Sequence, residues 1–134
     1  CPLSEVADNL GLYGSKLTGL EFTRTGMDLP LTPDNLLQGA IRIFKPFVYR
    51  AAPVEYREGG MLPSELLAFL SAVILAEVDV VIESGTGAGY SIEVIGRFLE
   101  GTGVSAYTID DPNASFHQYD AGTEFGGNSL FFKI

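Results

Sequence analysis

Residues 80–99 read VVIESGTGAGYSIEVIGRFL. A β-branched apolar run closes on Glu83, and Gly85, Gly87 and Gly89 follow at alternate positions. Ile92, Ile95, Phe98 and Leu99 then recur at the period of a helix. Gly101 and Gly103 break that helix, and VSAYTID at 104–110 reads as a second strand. Residues 78–110 therefore predict one β-α-β unit, and VDVVIE, apolar with little alternation, reads as a buried parallel strand. The fold class expected is α/β with a mainly parallel sheet.

Working towards the amino terminus, MLPSELLAFLSAVILAE predicts a helix with Pro63 in its first turn and Glu65 close behind. Leu66, Leu67, Phe69, Leu70, Val73 and Ile74 cover most of its circumference, which predicts packing on two sides. Thr32-Pro33-Asp34 predicts a second helix start, with Thr as N-cap and Asp at the positive end of the dipole. Leu36, Leu37, Ala40, Ile41 and Phe44 supply its apolar positions, and Pro46 is expected to stop it near Phe44 or Lys45. A short helix over 4–10 and an extended segment over 16–26 are expected further upstream. Towards the carboxyl end, SLFFKI reads as a third strand. The domain reading is a lead-in or cap over 1–57 and a cofactor-binding domain over 58–134.

The bulk composition narrows the function classes. A length of 134 residues suits one domain, and an apolar fraction of 46% is enough to bury a core. The net charge of -9, from 17 acids against 8 bases, repels phosphate backbones and argues against nucleic acid as a partner. The longest apolar run is interrupted by Glu77 and Asp79, so no membrane span is expected. The lone Cys1 excludes an internal disulfide and fits a reducing, cytoplasmic setting. A start without Met and an end in an apolar strand read as an excerpt of a longer protein.

The glycine bend is the candidate site. In open parallel sheets ligands sit beyond the carboxyl ends of the strands. Glycine there adopts positive φ and admits a ligand close to the backbone, while the next helix directs free N–H groups at the bend. A phosphate loop requires G-x-x-x-x-G-K-[ST], and no lysine stands near. A dinucleotide fingerprint requires G-x-G-x-x-G, which places its third glycine at residue 90, occupied by Tyr90.

The remaining pattern, E-x-G-x-G-x-G, resembles motif I of the class I S-adenosylmethionine-dependent methyltransferases. With the preceding helix, the G-Y-S helix start and a second strand ending in TIDDP, residues 60–113 are similar to the small-molecule O-methyltransferases of the catechol and caffeoyl type. The resemblance implies a Rossmann-like three-layer fold, here incomplete, that binds S-adenosylmethionine and transfers a methyl group to a small molecule. It implies that Glu83 fixes the loop and meets the methionine amino group. Gly85, Gly87 and Gly89, with Thr86 and Tyr90 between and beside them, would line the cofactor. Ser91 would reach the methionine carboxylate, and Asp110 would accept both ribose hydroxyls. The alternatives are a catalytically silent domain of the same fold and a nucleotide-dependent enzyme of the NAD type. No catalytic residue is assigned, and neither the acceptor nor the oligomeric state is legible.

Other residues have plainer readings. Asp110 and Asp111 also suit a turn before Pro112. His117 is a base only if the tail folds over the cofactor. Asp111, His117 and Asp120 match no metal-ligand spacing, so no metal is expected. Tyr49, Tyr56 and Tyr90 are candidates to line a pocket, although most such aromatics are core.

Overall fold

The computed structural model describes residues 30–111 together with the backbone of 129–133. The expected helix over 4–10, the extended segment over 16–26, Cys1, His117 and Asp120 lie outside the described residues.

Helix α1, Pro33–Arg50, starts where its cap signal lies. Thr32 is extended, and its hydroxyl accepts the Asn35 N–H at 3.2 Å. The expected stop at Pro46 does not occur: the helix runs on to Arg50 with Pro46 buried inside it. A proline inside a helix forfeits one backbone hydrogen bond and costs about 3 kcal/mol. Burial of Ile43, Phe47 and Val48 around it offsets that cost. The end is also anchored, because Arg50 donates from Nη1 to the carbonyls of Phe98, at 3.2 Å, and Glu100, at 2.8 Å.

The buried face of α1 also differs from the expected one. Gly39, Ile43 and Phe47 face the core, whereas Leu37 and Ile41 are 57% and 43% exposed. Gly39 marks the crossing with α2, Pro63–Leu75. A Cβ on Gly39 would lie 2.2 Å from Ser71 Oγ, and that hydroxyl donates to the Leu36 carbonyl at 2.8 Å. Helix α2 begins with Pro63, and Glu65 reaches back to accept the Leu62 N–H at 2.7 Å. Leu66, Leu70 and Val73 are buried, while Leu67, Phe69 and Ile74 pack on the core from its margin, as a helix packed on two sides should.

Strands β1, Val80–Ser84, β2, Ser105–Asp110, and β3, Ser129–Lys133, form a parallel sheet in the order β1-β2-β3. Helix α3, Tyr90–Leu99, connects β1 to β2 and lies against β2 and β3. The protein is thus α/β with a parallel sheet, and SLFFK is its third strand. Ile92, Ile95, Phe98 and Leu99 all point inward. Ile43, Phe47 and Ala51 belong to the same core as Val81 and Ala106, so α1 is packed into the body of the fold. Strand β1 is not buried on both faces: Val81 is covered, but Val80 and Ile82 are 47% and 64% exposed. An apolar run without alternation hides this, because both faces carry the same residue types. No helix among the described residues is long and apolar enough to cross a membrane.

Candidate functional site

The register of β1 on β2 pairs Glu83 with Thr108 and leaves Asp110 one residue beyond the last pair, Ser84 with Ile109. The two acids therefore stand at the same end of the sheet, where the chain leaves β1. Gly85 prolongs the ladder by donating its N–H to Ile109 at 2.8 Å. The bend then closes as the Gly89 N–H reaches the Thr86 carbonyl at 3.0 Å. Gly85, Gly87 and Gly89 have φ of 92°, 56° and 81°, a region costly to any residue with a Cβ. Gly89 is the N-cap of α3. Among the described residues, a Cβ built on Gly85 or Gly87 meets no atom within 4 Å.

Asp110 is committed to that bend. Its Oδ2 accepts the backbone N–H groups of Thr86, at 2.9 Å, and Gly87, at 3.2 Å, and its Oδ1 accepts that of Asp111, at 2.7 Å. The expected pair of free oxygens for ribose is thus already engaged with backbone, although each oxygen keeps acceptor capacity.

Glu83 is tied by a hydroxyl relay. Thr108 Oγ1 donates to Glu83 Oε1 at 2.7 Å and is itself 2.7 Å from Thr86 Oγ1. Thr108 has one proton to give, so Thr86 is the donor to Thr108. Both hydroxyls are buried, and the relay joins β1, β2 and the bend. Burial pushes the Glu83 carboxyl above its ordinary value of 4.5; the Thr108 hydrogen bond opposes this, and the Asp110 charge adds to it.

Tyr90 and Ser91 serve the packing beneath the bend. Ser91 is buried, and its hydroxyl accepts the Met61 N–H at 2.8 Å, which makes it a tie to the segment before α2. Tyr90 is 3% exposed and meets the Tyr56 ring edge-on, with centroids 4.9 Å apart. Burial raises its phenol above the ordinary range, more than the nearby Tyr56 does, against the Arg57 charge. Gly60 lies against it so closely that a Cβ there would come within 2.7 Å of the Tyr90 ring.

The structure brings together Glu83, Thr86, Gly87 and Asp110 and buries Tyr90 and Ser91. Sequence reasoning missed Thr108. Its signal was a hydroxyl two residues after Ala106, on the buried face of SAYTID, in register with an acid on the neighbouring strand. Among the described residues no three His, Cys, Asp or Glu side chains gather in a form that could hold a metal. No family model, curated protein or solved structure matches this chain.

Proposed function

We propose that the chain is the cofactor-binding part of a Rossmann-like class I methyltransferase and holds S-adenosylmethionine over the Gly85–Gly89 bend. One observation carries the reading: the N–H groups of Thr86 and Gly87, which a dinucleotide fold would turn to a diphosphate, are taken by the carboxylate of Asp110. A second acid, Glu83, stands beside it. Two carboxylates at an open bend disfavour a diphosphate and favour a ligand carrying positive charge. S-adenosylmethionine carries a sulfonium and an ammonium and has no phosphate. The same geometry argues against the NAD-type alternative.

The residues fit the group. None of the described residues would crowd a group brought against the backbone at Gly85 and Gly87. Glu83 would hold its ammonium, and Asp110, steadied by the bend, would keep acceptor capacity for the ribose hydroxyls. Bound there, the cofactor supplies a methyl group already activated by its sulfonium. The protein's part is then to hold the cofactor and keep an acceptor in line with it. A small-molecule acceptor agrees with the acidic surface.

Isothermal titration of the full chain with S-adenosylhomocysteine, S-adenosylmethionine, NAD and NADP tests this. Saturable binding of the first two, with none of the others, is expected. NAD or NADP binding more tightly than S-adenosylhomocysteine overturns the reading. Binding without methylated product across acceptors assigns the catalytically silent form of the same fold.

A further inference from the structure

A cleft of about 690 Å³ lies on the flank of α3, away from the bend, between the end of α1 and the segment that follows it. Arg50, Arg57 and Arg97 line it, three of the eight basic residues in a chain of net charge -9. Tyr49, Tyr56, Pro53 and Val54 also line it.

The charge within the cleft is unbalanced. Arg57 and Arg97 share a single carboxylate, that of Glu93: Arg57 meets one of its oxygens, and Arg97 lies 3.4 Å from the other. Arg50 is spent on two carbonyls, which neutralise none of its charge. With Glu55, exposed at the rim, the lining carries three guanidinium groups against two carboxylates. Arg57 is also under-used as a donor. Its Nη2 meets Glu93, but its Nε–H is shut off from solvent and has no partner among the described residues. A guanidinium is best satisfied when the Nε–Nη edge meets two oxygens of one planar or tetrahedral anion.

We propose that this cleft binds a small molecule carrying an oxyanion on a flat apolar body, the oxyanion on Arg57 and Arg97 and the body against Tyr56. The site is separate from the bend and does not depend on the cofactor reading. Tyr56 nevertheless touches Tyr90, the first residue of α3, so its occupant sits beside the helix that begins at the bend.

The test is titration of the full chain with phenyl phosphate and benzoate, with inorganic phosphate and phenol as the separated halves, followed by calorimetry or amide shifts. Phenyl phosphate or benzoate should saturate at one site and bind at least about tenfold more tightly than either half. Arg97→Gln and Arg57→Gln should each weaken binding by about tenfold, with circular dichroism confirming the fold. Should Arg57→Gln unfold, Arg97→Gln, at a half-exposed position, decides alone. Gly87→Ala should leave phenyl phosphate binding unchanged. No saturable binding, wild-type affinity in a folded Arg97→Gln, or inorganic phosphate binding as well as phenyl phosphate would each overturn the proposal.

Discussion

The carboxylate of Asp110 holds the backbone of Thr86 at 2.9 Å across the gap between two strands. An acid at the end of β2 thus sets the shape of the bend that follows β1. Charge-assisted hydrogen bonds of this kind are worth about 1.5–3 kcal/mol. Asp110→Ala should lower the free energy of unfolding by about that amount and abolish S-adenosylhomocysteine binding. Asp110→Asn retains an acceptor for the bend and should recover part of the stability but not the binding. Chemical denaturation and calorimetry on the same samples separate the two effects.

Glycine substitutions distinguish a conformational role from a spatial one. Gly85, Gly87, Gly101 and Gly103 all have positive φ, and a Cβ on any of them meets no atom of the described residues within 4 Å. Alanine at each should cost about 1–2 kcal/mol from backbone strain alone. Only the first two lie over the proposed cofactor site. Gly85→Ala and Gly87→Ala should therefore reduce S-adenosylhomocysteine affinity by more than about tenfold, an effect of 1.4 kcal/mol or more. Gly101→Ala and Gly103→Ala should leave it unchanged. Equal losses at all four positions would count against a site at the bend.

Glu83 gives the protein a pH signature. Its carboxyl is raised in the folded chain, so the folded state holds this proton more tightly than the unfolded state does. Stability from this group is thus greatest below the ordinary value of 4.5 and declines as pH rises from there through the raised value. Glu83→Gln keeps an acceptor for Thr108 and removes the charge. Its melting temperature relative to wild type should improve as pH rises above 4.5, because the wild-type carboxyl must ionise under its burial penalty. Binding of a cationic ligand should follow the opposite course in wild type, strengthening as Glu83 ionises, and should lose that dependence in the variant.

The helix crossing at Gly39 is a packing claim with no link to the ligand. Alanine there sets a methyl against Ser71 Oγ, at a 2.2 Å approach, and displaces the bond from Ser71 to Leu36. Gly39→Ala should destabilise by about 1–3 kcal/mol. The double variant Gly39→Ala with Ser71→Ala should recover part of that loss, measured by thermal unfolding. Ligand affinity in the folded fraction should not change.

The parts of the fold legible in the sequence were those with a local cause. Thr32 and Pro33 started a helix because capping acts within one turn, and the glycines after Glu83 marked a bend because few other residues tolerate its φ values. The run SLFFK formed a strand, as expected of SLFFKI. The misreadings arose where distant packing decides. Pro46 stays inside α1 because Ile43 and Phe47 are buried around it, and Gly39, invisible to a count of apolar residues, is where α2 comes closest. In the site, the residue types at the bend were legible, but their partners were not. That Asp110 turns to the backbone and that Thr108 links Glu83 to Thr86 follow from strand register, which one sequence does not specify.

The contact of Gly60 with Tyr90, beside the tie from Met61 to Ser91, joins stretches of chain thirty positions apart at one rigid point. The entry to α2 and the first turn of α3 are therefore a single mechanical piece. Whatever reshapes the bend will be felt at Met61, and a spacer inserted beside Gly60 will disturb the bend without touching a residue in it.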